Sequence, residues 1–179
     1  MNTETTRVLS AMRPNGRLHL GHYLGVLQNW QQIQYQYKCF FILSDIHGLI
    51  NNYHASQQLN ETMHEMVIDW LAAGVDPSQA TIFIQSRVPE HFELANLLGV
   101  ITPLGWLERV PSYKDALDEL EHTDGNTYGL LGSPLLQSAD ILLYNSHYVI
   151  TGEEQAANIE LTREIARRFN HLFGREDGF

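Results

Sequence analysis

One short stretch, residues 39–43, limits the folds open to this chain more than any other. All of its residues are apolar, Cys39-Phe40-Phe41-Ile42-Leu43, so it shows no alternation between an apolar and a polar face. Strands of this kind are buried on both faces, which is typical of parallel sheets covered by helices on each side. The stretch therefore predicts an inner strand of an α/β domain.

The rest of the chain repeats this pattern of short apolar stretches followed by helical spacing. Further strands are predicted at residues 8–12, 81–84 and 148–150, and helices at 23–30, 56–71, 89–100, 127–145 and 152–173. Strands that alternate with helices predict a doubly wound parallel sheet, the Rossmann-like α/β class. A length of 179 residues suits a single domain with a sizeable core.

The composition of the chain argues against several classes of protein. The chain has 11 Lys and Arg residues against 21 Asp and Glu residues, which argues against a broad nucleic-acid clamp but leaves room for a local RNA contact. No apolar run is long enough to cross a bilayer, and residues 1–6 are polar where a signal peptide would have an apolar core. A single cysteine, Cys39, fits a reducing compartment. We therefore expect a cytoplasmic protein without a membrane partner.

The loop after the first strand carries the strongest chemical pattern. It reads Arg13-Pro14-Asn15-Gly16-Arg17-Leu18-His19-Leu20-Gly21-His22 and leads into a predicted helix. A glycine there allows a phosphate to approach the backbone, and a helix start offers N–H groups to an anion. Two imidazoles can also donate hydrogen bonds to phosphoryl oxygens. The alternatives are plain packing or a metal pair, although a zinc site needs a third ligand and no His-Glu-x-x-His motif occurs.

Two other groups of polar residues fall where a ligand would lie. Asp45 and His47 follow the strand at 39–43, and ligands of open α/β sheets lie beyond the carboxyl ends of strands. The alternative for His47 is a helix-start or core histidine. A polar stripe on the predicted helix 127–145 is formed by Ser133, Gln137, Asp140 and Tyr144. It predicts either a binding-site lining or a hydrogen-bond network between helices. No Walker or Gly-x-Gly-x-x-Gly motif supports a kinase or a dehydrogenase.

The tetrad His19-Leu20-Gly21-His22 resembles the first signature of the class I aminoacyl-tRNA synthetases, a His-x-Gly-His sequence that binds ATP. The whole chain resembles the tryptophanyl-tRNA synthetases of the bacterial type, with matching stretches at 12–30, 45–47, 83–89, 104–114, 138–144, 152–155 and 159–170. The resemblance implies that the carboxylate of L-tryptophan attacks the α-phosphorus of ATP. The products are tryptophanyl-adenylate, for transfer to tRNA(Trp), and pyrophosphate.

The resemblance also implies roles for individual residues. The catalytic residues implied are His19, His22 and Lys114. The ATP-binding residues implied are Arg13, Pro14, Asn15, Gly21, His22, Gly152, Glu153 and Glu154. The tryptophan-binding residues implied are Leu9, His47, Ser133, Gln137, Asp140 and Gln155, with Asp140 accepting the indole N–H. Magnesium is expected to arrive with ATP, without a dedicated protein site.

The chain departs from the family pattern at three places. Ser133 stands where relatives have tyrosine, Glu154 replaces aspartate, and Ala156-Ala157-Asn158 replaces Lys-Gln-His. These departures predict a wider pocket or a specialised paralogue. A different adenylyl transferase of the same superfamily is a further alternative, but the Ser-Ala-Asp-Ile-Leu context of Asp140 argues against it.

The resemblance implies one Rossmann-like catalytic domain over residues 1–179, with a helical dimerisation insertion at about 89–126. The predicted helix 89–100 is apolar on more than one face, which favours either a partner surface or deep burial. We expect a homodimer through residues 92–109. No Lys-Met-Ser-Lys-Ser loop and no anticodon-binding domain follow in the sequence. The expectation is therefore binding of tryptophan or ATP with slow adenylate formation, or a non-catalytic dimer that binds an amino acid or a nucleotide.

Overall fold

A computed structural model describes residues 5–51, 53–119 and 126–174. In these ranges the strands are β1 (Arg7–Met12), β2 (Lys38–Leu43), β3 (Ala80–Ile84) and β4 (Tyr148–Ile150). The strands lie in the order β3-β2-β1-β4, and every neighbouring pair is parallel. The predicted doubly wound parallel sheet is confirmed. The chain folds as two compact units, and each is described separately below.

The first unit comprises residues 1–88 and 144–151 and contains the whole sheet. Its helices are α1 (Leu20–His22), α2 (Gln28–Ile33), α3 (Asp45–Asn51) and α4 (Leu59–Ala72), with a 3₁₀ turn at Tyr53–Gln58. Phe41, Ile42 and Leu43 are fully buried, as expected for a strand covered on both faces. Trp30 stacks on Phe41 with ring centroids 4.1 Å apart and also meets the ring of Trp70 at 4.8 Å. These aromatic rings fix α2 and α4 on one face of the sheet.

The helix that follows β1 is continuous but not uniform. Between α1 and α2 the stretch Tyr23–Leu27 is a π-helix, in which the N–H of Gln28 donates to the carbonyl of Tyr23, five residues earlier. Such stretches are rare and occur frequently at functional sites. Here the π-helix lies between the histidine tetrad and Trp30, and its last residue, Leu27, is buried in the core together with Trp30.

The second unit is helical and comprises residues 89–143 and 152–179. Its helices are α5 (Glu90–Ile101), α6 (Leu104–Leu107), α7 (Pro111–Glu119), α8 (Tyr128–Leu143) and α9 (Ala156–Phe173), with a 3₁₀ turn at Glu153–Gln155. Residues 120–125 of the predicted insertion lie outside the described residues. Within the described ranges, no helix combines the length and the apolar character that crossing a membrane requires.

Candidate active site

The loops that follow β1 and β2 leave the sheet at the same edge. Met12 pairs with Leu43 in the parallel register, and the N–H of Ser44 donates to the carbonyl of Met12 at 2.9 Å. Helix α3 then packs directly on the loop of residues 13–22, because a Cβ atom added to Gly48 would lie only 3.0 Å from Cδ of Pro14. The loops after β1 and β2 therefore meet at the carboxyl edge of the sheet, where the ligands of open α/β sheets bind.

The histidine tetrad caps the helix that it begins. His19 is extended, its Nδ1 accepts from the N–H of Gly21 at 3.1 Å, and its own N–H donates to Nδ1 of His22 at 3.3 Å. The two imidazole centroids are 4.0 Å apart. A Cβ atom on Gly21 would lie 2.9 Å from Cε1 of His19, so the ring of His19 packs directly against this glycine.

This cap determines which ring nitrogens can act on a ligand. Because Nδ1 of His19 and Nδ1 of His22 both accept hydrogen bonds, each neutral ring carries its hydrogen on Nε2. Burial, and then the neighbouring His19, lower the pKa of His22, so this ring is mainly neutral at pH 7. The tetrad therefore presents Nε2–H donors of the kind that a phosphoryl oxygen accepts. The described residues contain no group of three or more His, Cys, Asp and Glu side chains that could hold a metal ion.

Asp45 has a structural contact that the sequence did not predict. Its Oδ1 accepts from the N–H of Ser86 at 3.0 Å, so it ties the loop after β2 to the loop after β3. His47 is buried in α3, as its interpretation as a core histidine expects, and Leu9 is buried in β1. The binding roles of His47 and Leu9 stay predictions.

In the second unit, three amide side chains form one network. Nδ2 of Asn158 donates to Oε1 of Gln137 at 2.7 Å and to Oε1 of Gln155 at 3.0 Å. Ser112 of α7 donates to Oδ1 of Asn158 at 3.1 Å. The structure thus brings together Gln137 and Gln155, two predicted tryptophan-binding residues. Asn158, which the sequence marked only as a departure from the family pattern, joins them.

Asp140 of α8 is buried against a partner that the sequence analysis missed. Its Oδ1 lies 2.6 Å from Nδ1 of His91 on α5, and both side chains are almost fully buried. Gln137 and Asp140 thus take part in hydrogen bonds to neighbouring elements, as the alternative of a hydrogen-bond network expects. Ser133 is partly buried. Tyr144, the fourth residue of the predicted stripe, belongs to the first unit. The signal for His91 was Asp140 itself, since a carboxylate on an otherwise apolar helix needs a buried partner.

The remaining predicted residues of the second unit lie near its surface. Lys114 is exposed on α7, and Gly152, Glu153 and Glu154 are exposed at the start of the 3₁₀ turn that leads into α9. The carboxylate of Glu154 folds back over Gly152 so closely that a Cβ atom there would overlap it. A larger side chain at position 152 would displace the exposed carboxylate of Glu154.

Comparison with known proteins identifies the relatives of this chain. The family model described as tRNA synthetases class I (W and Y) matches residues 1–179. A tryptophan–tRNA ligase of Ralstonia nicotianae is 61% identical over 97% of this chain and 43% of its own length. One of Thermotoga maritima is 48% identical over 93% of this chain and 51% of its own length. The chain thus spans about half the length of the curated relatives that it matches.

Solved structures agree with these relatives. A crystal structure of tryptophanyl-tRNA synthetase from Campylobacter jejuni, complexed with ADP and tryptophane, superposes with a TM-score of 0.87 at 31% identity, over 94% of this chain and 52% of that one. The Mycoplasma pneumoniae tryptophanyl-tRNA synthetase gives a TM-score of 0.87 at 34% identity, over 94% of this chain and 50% of that one. With its histidine tetrad, its parallel sheet and a family model matched from end to end, the chain belongs to the class I tRNA synthetases of the tryptophan and tyrosine group.

Proposed function

We propose that this chain binds ATP and L-tryptophan and forms tryptophanyl-adenylate, which the whole protein transfers to tRNA(Trp). The observation that carries the proposal is the Campylobacter jejuni relative complexed with ADP and tryptophane, which 94% of this chain matches with a TM-score of 0.87. The identities of 61% and 48% to tryptophan–tRNA ligases support tryptophan as the amino acid. Its place is the cytoplasm, which the buried single thiol of Cys39 suits.

On the ATP side, the proposed work is to position the phosphates and stabilise their charge. The Nε2–H groups of His19 and His22 donate to phosphoryl oxygens, and Gly21 between them is a further proposed ATP contact. Further contacts are proposed for Arg13, Pro14, Asn15, Lys114, Gly152, Glu153 and Glu154. Magnesium arrives bound to ATP and neutralises part of the phosphate charge. Catalysis of this kind depends mainly on orientation and on preorganised charge.

On the tryptophan side, Asp140 is the proposed selectivity residue. Its buried carboxylate accepts the indole N–H, whereas phenylalanine offers no donor to it. Sites built to hydrogen-bond a polar group of the substrate discriminate strongly against an analogue that lacks this group. Gln137 and Gln155, held by Asn158, are further proposed tryptophan-binding residues, and Gln155 is proposed to face the ribose or the substrate amino group. Leu9, His47 and Ser133 are the remaining proposed tryptophan contacts.

A homodimer through residues 92–109 is proposed as the assembly. Leu97, Val100 and Leu104 are 63%, 84% and 59% exposed on or next to α5. Large apolar side chains grouped in this way are typical of protein–protein interfaces. The exposure favours the partner-surface interpretation over deep burial of this helix.

The test is tryptophan-dependent exchange of pyrophosphate into ATP, together with calorimetric titration of tryptophan, phenylalanine and ATP. Asp140→Ala is expected to abolish the preference for tryptophan over phenylalanine, with Asp140→Asn as a variant of the same shape. Circular dichroism checks that both variants fold. Unchanged discrimination in a folded variant would exclude Asp140 as the selectivity residue. Binding of ATP and tryptophan without any exchange would instead favour a binding module over an enzyme.

A further inference from the structure

His91 and Asp140 form a short, buried hydrogen bond between two polar side chains. Nδ1 of His91 lies 2.6 Å from Oδ1 of Asp140, and the two side chains are 0% and 3% exposed. His91 lies in the first turn of α5, and Asp140 lies in the second half of α8. The contact therefore joins two helices that meet along the second unit.

The chemistry of the pair gives its direction. An ionised carboxylate only accepts hydrogen bonds, so the hydrogen in this contact belongs to Nδ1 of His91. A short bond of this kind to a charged acceptor is stronger and more directional than a neutral one. It fixes the rotation of the carboxylate about its last torsion, and the direction of the second oxygen, Oδ2, is fixed with it.

Stability alone gives little reason for such a pair. Buried ion pairs replaced by apolar residues of the same volume are often neutral or more stable. By contrast, removing one partner leaves a buried group unsatisfied and is strongly destabilising. A buried histidine that orients a carboxylate is useful where the direction of that carboxylate matters.

We infer that His91 is a positioning residue, which sets the direction in which Asp140 presents its carboxylate to the indole N–H of tryptophan. This inference rests on the proposed function, in which Asp140 contacts the substrate and His91 acts through Asp140. Outer partners that orient the ligands of metal sites have a comparable role, and their loss typically weakens binding about tenfold to a hundredfold.

The experiment compares two amino acids that differ at the atom in question. The probes are L-tryptophan and 3-benzothienyl-L-alanine, in which sulfur replaces the indole N–H, and their affinities are measured by calorimetry. His91→Asn places an amide N–H near the position of Nδ1, whereas His91→Gln places it near Nε2. Leu98→Ala serves as the matched control, because Leu98 is buried on the same helix and its loss lowers stability without removing a hydrogen-bond donor.

The expected result concerns the ratio of the two affinities and not affinity as such. The unchanged chain and Leu98→Ala are expected to prefer tryptophan by the same factor. His91→Gln is expected to lose about tenfold to a hundredfold of that preference, and His91→Asn to keep most of it. If His91→Gln fails to fold, His91→Leu takes its place, because leucine also lacks a donor at the position of Nδ1 and should lose the preference to the same extent. If His91→Asn fails to fold, His91→Gln measured against the unchanged chain still gives the ratio.

Two contrary outcomes are distinguishable. If His91→Gln weakens both ligands equally and keeps their ratio, or if His91→Asn loses the preference as fully as His91→Gln, the positioning role is wrong and the proposed function stands. If the unchanged chain binds neither amino acid, or binds both equally well, the proposed role of Asp140 is wrong and the inference about His91 is overturned with it.

Discussion

Replacing Gly48 with alanine tests whether the packing of α3 against the loop of residues 13–22 sets the position of the proposed ATP contacts. The added methyl group would lie 3.0 Å from Cδ and 3.1 Å from Cγ of Pro14, and 3.8 Å from Oδ1 of Asn15. The proline ring is rigid, so it cannot rotate away as a long side chain would. The loop and the helix must therefore separate.

The size of the effect follows from this overlap. Ordinary contacts begin near 3.4 Å, so the two groups must move apart by about 0.4 Å. Overpacking of this kind destabilises the folded state by about 1–3 kcal/mol. Replacing a helical glycine with alanine stabilises it by about 1 kcal/mol. The free energy of unfolding should thus fall by about 0–2 kcal/mol. If a misplacement of about 1 Å costs on the order of a hundredfold in rate, a shift of about 0.4 Å should slow exchange by about sixfold.

Two assays and one control separate these effects. Urea unfolding followed by tryptophan fluorescence reports on the first unit through Trp30 and Trp70 and on the second unit through Trp106, and pyrophosphate exchange at varied ATP reports on the loop. Gly25→Ala is the control, because nothing lies within 4 Å of a Cβ atom at this helical position. We expect the control to leave exchange unchanged. Equal exchange rates for Gly48→Ala and the control would refute the argument that α3 positions the loop.

Three further outcomes are expected. Light scattering should show a dimer that becomes a monomer when Leu97 and Val100 are both replaced by glutamate, whereas glutamate at Tyr35, exposed in the first unit, should leave the dimer intact; a dimer in every variant would exclude this surface. Because the pKa of His22 is lowered in the folded state, the unchanged chain should lose stability relative to His22→Asn as the pH falls below about 6.5, and the stability difference between the two should be independent of pH above that value; urea unfolding at pH 5 and 7.5 measures it, and an equal difference at both would contradict the assignment. Burial raises the pKa of Cys39 to about 11, so iodoacetamide at pH 8 should label the thiol only after unfolding; labelling of the folded chain would contradict its burial.

The strands could be predicted from the sequence because each is a compact apolar stretch with a polar boundary. The strands predicted at 8–12 and 39–43 begin one residue later than the observed Arg7–Met12 and Lys38–Leu43. The parallel direction of the strands also followed from the alternation of strands and helices. The local geometry of the helices was less accessible, since a π-helical stretch such as Tyr23–Leu27 depends on how its two ends are held and leaves no pattern in the residues.

The candidate site was predicted unevenly for a similar reason. Loop residues such as His19 and His22 are close together in the sequence, so their pattern can be recognised from the sequence alone. His91 and Asp140 are 49 positions apart, and only the packing of α5 on α8 makes them neighbours. Asn158 was singled out only because it departs from the family pattern, and its three contacts with Gln137, Gln155 and Ser112 could not be deduced from that departure.

The π-helix after β1 has a consequence for which mutations this chain can accept. A π-helical stretch is equivalent to one extra residue in an α-helix, and each residue of an α-helix turns the chain by about 100°. The π-helical stretch absorbs that extra residue, so deleting one residue from Tyr23–Leu27 would restore a regular α-helix and leave the histidine tetrad facing nearly the same way relative to Trp30, which is fixed in the core. Deleting Gln28 or Asn29 from the regular helix α2 would instead rotate the tetrad by about 100°. In libraries of variants, single deletions should therefore survive in Tyr23–Leu27 more often than at Gln28 or Asn29.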